Sequence, residues 1–410
     1  MGTVNRGGSA PRPYEPDNVL QVGSGGRIAS IADAIAELSS RPATKTTKTV
    51  TGSATATQFS DRVAFTSGDP RTAGVKPGDF LYVPDDAQTL GYGEHYYYVL
   101  GVFADAVILE TCIMGATQTL TDPVFYRLNK YAIELLPGEN EIPSGLILPD
   151  GYHVGFIGHG DSSVVTGYSM ESPAWGFLEF SRLFTNSGLV TGYTKNTFPL
   201  LFAAMPTVRV HDMTMGVDAT LSGAPNMEFL DGVQPSGLHV TNFHYLNVID
   251  HGFKMYADSI FVDGFSAYMG EESYECLQMG LTNRPSVKMK SLKNLLLNRR
   301  ADGAPGTVGM IIINAANGAA SQVVSPEYRF SNVFARDLST GGPVIEINGS
   351  NTGAGVAAAR VYLSNCQMES GGFTSEIDSA GTAVTVYLDR CFRQGGTAVR
   401  TSGTSTFTTL

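Results

Sequence analysis

The chain has 410 residues, 16% of them charged, a formal net charge of −11, and 47 glycines. Glycine stands at about 11% against a usual ~7%, and the aromatics are 18 Tyr and 21 Phe with a single Trp, a composition of short strands and tight turns rather than helical bundles. The hydrophobic fraction of 42% excludes a disordered chain, no window reaches the ~18 apolar residues of a membrane span, and the acidic balance argues against a nucleic-acid partner.

Residues 1–26 read as an extended arm. Pro11, Pro13 and Pro16 space out Arg12, Tyr14 and Glu15, and prolines at such spacing block a helix. Such an arm is either a disordered terminus or an anchor that orders against a larger body. Met1-Gly2 is followed by no apolar run, so no secretory signal is expected and synthesis in a cytoplasm is. A short helix is predicted from Ser30, with Asp33 three residues on and Ile31, Ala34, Ile35 and Leu38 on one face. Arg41-Pro42 ends it, and residues 27–45 form a cap helix and linker.

Residues 46–130 change character. Thr46–Val50 alternates, Val75-Lys-Pro-Gly-Asp-Phe-Leu-Tyr-Val83 is a Pro-Gly turn delivering a strand, and Tyr96–Val102, Ala106–Glu110 and Phe125–Leu128 follow. Five or so strands without a helix predict a small β-barrel.

From residue 131 to 400 one loose unit recurs: apolar, any, apolar, any, small or polar, apolar. It begins at Val208, Leu238, Ile260, Val287, Tyr328, Val361 and Val386. Spacing this uneven does not suit fixed-length repeats. It suits a coiled stack of rungs whose insertions leave at corners, a right-handed parallel β-helix. The first and third positions point inward at period two. The fifth turns a corner and holds Asp212, Asn242, Gly264, Ser291, Asn332 and Asn365, mostly residues that tolerate a left-handed backbone. The sixth points inward again, through Met213, Phe243, Phe265, Leu292, Val333, Cys366 and Cys391. Of the four cysteines, Cys366 and Cys391 are expected reduced and stacked in consecutive rungs. Residues 401–410 are a Thr-rich C-terminal tail.

Val22-Gly-Ser-Gly-Gly-Arg-Ile-Ala-Ser-Ile-Ala-Asp-Ala-Ile-Ala-Glu-Leu38 resembles the entry segment of pectate-lyase-like (pectin-lyase-like) β-helix proteins, in which a helix caps the stack. The Pro-Gly strand Ala132–Gly138 and the rung Val154-Gly-Phe-Ile-Gly-His-Gly-Asp161 are similar to the elements that follow in that family. The insert looks like a small barrel common in phage tail proteins. Arm, barrel and β-helix together resemble a bacteriophage tailspike or tail fibre. The resemblance implies a homotrimeric virion protein, made in the host bacterial cytoplasm. It would be fastened to other tail or neck proteins by its N-terminal arm and would recognise host surface polysaccharide.

Gly158-His159-Gly160 matches part of a polygalacturonase signature, but the Asn-Thr-Asp and Arg-Ile-Lys segments are missing, so a tight corner with an exposed His159 is the better reading. A denser stretch lies between 239 and 275. Asp250, Asp263, Glu271 and Glu272 are candidate acid–base residues of a depolymerase, if two of them face one another at ~5 to 9.5 Å. Tyr245, Tyr256, Tyr268 and Tyr274 are candidate platforms for sugar rings. The competing reading of this stretch is a solvated outer sheet with ordinary acids. Trp175 is either a further recognition residue or a wedge between barrel and helix. No loop or helix with metal-ligand spacing occurs, and no cofactor is implied. The catalytic signature is incomplete; an enzyme on this fold would be a polysaccharide-cleaving hydrolase or lyase. Three functions therefore stand: a glycan-recognising tail fibre, a capsule or lipopolysaccharide depolymerase, and a purely structural virion component. Tyr362 and Tyr387 occupy the same outward position in consecutive rungs near the C-terminus and are the candidate trimer contact.

Overall fold

Alternation of apolar residues carries most of this chain into parallel strands. The computed structural model describes residues 18–84, 95–113, 115–185, 190–191, 206–216, 230–231, 236–250, 253–255, 257, 259–273, 276–279, 290–299, 309–314, 327–338, 342–348, 359–370, 374–380 and 384–410. Twelve strands stack in parallel along one path, beginning Val19–Val22, Lys130–Leu135, Tyr152–Ile157, Gly176–Ser181 and ending Val384–Arg393, Thr406–Thr409. From Thr207–Gly216 onward each strand bends and supplies a second face, which continues the shorter strands Gly138–Ile142, Ser163–Gly167 and Phe184–Thr185. A third face holds six parallel strands from Phe253–Met255 to Thr401–Gly403. Successive passes around three sheets make a parallel β-helix.

The bend between first and second face falls on one residue per rung. Arg182, Asp212, Asn242, Gly264, Asn294, Asn332, Asn365 and Arg390 all have positive φ, between 50° and 77°. Asn and Gly adopt this left-handed backbone at least cost. The amides then link the rungs: Asn365 Nδ2 donates to Asn332 Oδ1 (2.7 Å), Asn332 to Asn294 (3.0 Å), and Asn294 to Asp263 Oδ1 (2.6 Å). Lower down, Asn242 donates to Asp212 Oδ1 at 2.7 Å.

Six of the seven units stand in the register expected from sequence. The exception is the fourth. Lys290 pairs with Ile260, Leu292 with Val262 and Leu295 with Phe265, so the corner is Asn294 and not Ser291. Apolar alternation over Val287–Leu292 pointed three residues too early. The amide of Asn294 decides the matter, because it suits the left-handed corner and joins the ladder. The consequence is a buried Lys290, whose Nζ lies 5.1 Å from the centre of the Tyr328 ring. Cys366 and Cys391 are direct strand partners, both buried, both free thiols.

The stack also reaches further at both ends than its composition suggested. Val19–Val22 pairs with Ala132–Leu135 as the first strand, because Leu20 and Val22 alternate inward and are buried. Thr401–Gly403 and Thr406–Thr409 complete the last rung. Residues 1–17 lie outside the described residues. The helix spans Ile31–Ser39, capped by Ser30 Oγ accepting from Asp33 N at 3.1 Å. Its buried face of Ile31, Ala34, Ile35 and Leu38 packs with Leu20, Leu135 and Ile142 over the start of the stack.

Between the helix and Lys130 the chain forms an antiparallel barrel. Thr44–Thr49 and Ser53–Ala56 run along Val124–Leu128 and Gln118–Thr121, and Phe80–Val83, His95–Val102, Ala106–Leu109 and Arg62–Ser67 complete the ring. It has its own core, with Val63, Leu81, Val99, Leu109 and Phe125 fully or nearly fully buried. The exit and return are tied together: Asn129 N donates to Ala43 O (2.8 Å), Asn129 Nδ2 to Pro42 O (2.8 Å) and Tyr131 Oη to Pro42 O (2.9 Å).

Candidate functional site

The bend at each corner leaves two outward faces on the upper rungs. On the first sheet one outward column runs Glu179, Arg209, His239, Phe261, Ser291, Arg329, Tyr362, Tyr387. Strand spacing of about 4.8 Å brings these side chains into contact. Tyr362 and Tyr387 stack at 4.6 Å and 9°, and the Arg329 guanidinium lies 5.2 Å from the Tyr362 ring. Lower down, Phe261 meets His239 at 5.6 Å and Lys293 Nζ at 5.4 Å. Beside this column His211 Nε2 pairs with Glu179 Oε1 at 2.9 Å, and that bond raises the His211 pKa.

The second sheet carries the more exposed surface. Leu246 (49%), Tyr268 (46%), Leu296 (54%), Phe334 (45%) and Phe392 (45%) all face solvent there. They are half of the ten large hydrophobic residues exposed among the described residues. Leu296 and Phe334 are direct strand partners, as are Gln367 and Phe392. His244, Ser266, Asn298, Arg336 and Gln367 stand among them. Phe334 and Phe392 stand two rungs apart in one column, with Gln367 between them, and Tyr268 stands in the neighbouring column; rings beside hydrogen-bonding groups can take a sugar's apolar face and its hydroxyls together.

The lower part of the first sheet is covered by the barrel. Glu110, fully buried, reaches from the barrel onto the stack, where it accepts from Thr207 Oγ1 (2.7 Å) and from Arg209, with His239 Nε2 at 3.7 Å. Gly237 lies directly beneath: a Cβ there would come within 2.1 Å of Glu110 Cδ. Trp175 is the wedge. It stacks on Tyr96 of the barrel at 3.8 Å and 8°, and meets Phe80 edge-on at 5.6 Å. A Cβ at Gly151 would come within 2.6 Å of its ring. His153 stacks on Phe177 at 4.1 Å, and burial pushes its pKa down to about 3; burial likewise lowers His239 to about 4. Sequence reasoning missed this seam. Glu110 and Arg209 are 99 residues apart, and neither stands in a motif.

Of the candidate acids, Asp263 faces outward on the first sheet, its Oδ1 taken up by Asn294. Asp250, Glu271 and Glu272 occupy strand positions, with Asp250 paired to Ser273, and their side chains lie outside the described residues. Tyr256 and Tyr274 lie outside them too. Tyr245 points into the stack, wholly buried and edge-on to Phe243, where no ligand reaches it. Tyr268 alone of the candidate tyrosines is described and exposed. His159 stands at a corner with Gly160 at φ +73° and Gly158 packed on Arg182 O, and its Nε2 lies 3.3 Å from Glu134. Among the described residues no three His, Cys, Asp or Glu side chains converge as metal ligands.

Fold and faces together define a β-helix rod with a barrel docked at its capped end. No family model matches the chain, and no curated protein matches it in sequence. Among solved structures it is similar to tailspike protein gp49 from Pseudomonas phage LKA1, at 11% identity and a TM-score of 0.39, over 84% of this chain and 63% of that one. It is also similar to Pseudomonas phage phi297 tailspike gp61, at 10% identity and a TM-score of 0.44, over 84% and 62%. The chain thus spans under two thirds of the length of either tailspike.

Proposed function

We propose that this chain is a tail fibre or tailspike component of a phage virion, and that its β-helix recognises host surface glycans. The observation that carries this reading is the exposed second face, where Tyr268, Phe334 and Phe392 stand at 45–46% exposure on a rigid stack. With Leu246 and Leu296 they gather exposed apolar surface on one face, and gathered apolar surface of this kind marks interaction sites. The N-terminal arm attaches to neighbouring virion proteins, and it enters at the end where helix and barrel are gathered. Three parallel copies meet through the Tyr362–Tyr387 stack on the adjoining face, so weak single sites add up to firm adsorption. Cleavage is the second reading. Its candidate acids are Asp263, outward on the first sheet, Glu271 and Glu272 further along the same strand, and Asp250 at the end of the strand before.

The test is to titrate the purified chain against polysaccharides from candidate host surfaces while measuring reducing ends. The proposal expects saturable binding to the host's polysaccharide with no rise in reducing ends. A rise that disappears in Asp263→Asn moves the chain to the depolymerase reading. Absence of binding to any of them removes the glycan reading.

A further inference from the structure

Where the barrel meets the first rung, a cleft of about 470 Å³ opens between the Thr44–Thr49 and Val124–Leu128 strands and the turn at Lys76. Half of the ten described residues that line it are cations, Lys45, Lys48, Lys76, Arg127 and Lys130, and none of the ten is an acid. The whole chain holds 38 acids against 27 bases, so this wall runs against the overall balance. Asp79, wholly buried behind it, accepts from Lys48 Nζ at 2.7 Å and from Arg127 Nε. One carboxylate fixes two cations there, and the described lining still holds more cations than acids. Lys76 and Lys130 are exposed, and neither makes an ion pair among the described residues. Gathering like charges costs electrostatic energy that an anionic occupant offsets.

We propose that this cleft binds an acidic saccharide, one charged through carboxylates. The proposal rests on the glycan-recognising reading above and assigns a second, separate site to it. The size falls in the range of ~300–1,000 Å³ usual for small-ligand sites. The neutral members favour a sugar over an acidic peptide. Asn18 and Thr46 supply hydrogen-bonding groups suited to hydroxyls, whereas Leu128, itself buried, is the single large apolar residue among the described lining residues. A peptide partner draws its affinity from apolar and aromatic anchors, which this wall does not offer.

The experiment is calorimetric titration of oligogalacturonate into the full chain at low salt, beside dextran and polyglutamate, for the wild type and for Lys76→Gln with Lys130→Gln. Both residues are exposed and make no ion pair among the described residues, and thermal melting checks that the double variant is folded. The proposal expects oligogalacturonate to bind, to weaken as salt is raised, and to bind at least about tenfold more weakly to the double variant. Dextran should not bind. Equal affinity of wild type and variant overturns the site. Polyglutamate binding as tightly as the uronide overturns the saccharide assignment in favour of an acidic protein segment. If instead the rod's glycan reading is the one at fault, binding to host polysaccharide is absent while uronide binding and its loss in the variant persist.

Discussion

Asn332 bears two duties in one residue. Its backbone sits at φ +55°, and its side chain accepts from Asn365 and donates to Asn294. Alanine forfeits both, and the left-handed backbone alone costs an L-residue about 1–2 kcal/mol. Asn332→Ala should therefore lower stability by about 2 kcal/mol and Asn332→Gly by roughly half that, since glycine keeps the backbone free. Urea unfolding of the two variants checks the order; Gly costing as much as Ala means the amides and not the backbone govern the corner. Corner residues were legible in sequence because their chemistry is local. Asp212, Asn242, Asn332 and Asn365 each follow an apolar pair at a set distance. Ser291 was misplaced because Val287-Lys-Met-Lys-Ser-Leu292 fits the apolar pattern, whereas the true unit puts Lys290 at its first inward position and is marked by the amide of Asn294. Tyr245 misled for a related reason: past the corner the inward parity resets, so a tyrosine counted among the outer polar residues lies in the core.

At the scale of elements, the seam between barrel and rod is the least legible part of the molecule and the most sensitive to pH. Its contacts join residues about 50 to 130 apart, and no periodicity announces them. The cap helix and the insert were legible, the first from its apolar face and the second from a break in the rung pattern. Two histidines lie in the seam. His153 has a folded pKa of about 3 and His239 of about 4, against an ordinary value near 6.5. Between those limits the unfolded chain takes up protons that the folded seam refuses. Stability contributed by their neutral forms is whole above pH 6.5 and is lost as pH falls through the window from 6.5 toward 4 and 3. The single Trp175 stacks in this seam and reports on it. Its emission should shift on acidification below about pH 6, and His153→Gln with His239→Gln should flatten that shift. An identical profile in the double variant would place the titrating groups elsewhere. Gly237→Ala, whose Cβ would collide with Glu110, should loosen the barrel at neutral pH and give the same emission change without acid. Unaltered emission in that variant means Glu110 is free to move aside.

For the whole molecule, a rod with its cap and barrel at one end has its long faces free at the other. Two of those faces carry rings, and the proposed function gives them different partners. The Tyr362–Tyr387 stack is half-buried and packed on itself, as suits a contact between copies. Light scattering should give a mass near three times 43.6 kDa. Tyr362→Glu with Tyr387→Glu should reduce it to the monomer while the rungs stay folded by circular dichroism. An unchanged trimer puts the contact on another face. Fold class was legible because seven units repeat one inward pattern. The exposed apolar face was not, because exposure depends on which side of each corner a residue falls, and that follows only from three-dimensional register. Glycan recognition by the second face is the central claim, and its most direct measurement is the affinity of Tyr268→Ala with Phe334→Ala for purified host polysaccharide. Removing two exposed rings should weaken binding about tenfold or more, ~1.4 kcal/mol at least, with the melting temperature held near that of the wild type. Wild-type affinity in a folded double variant would contradict the account.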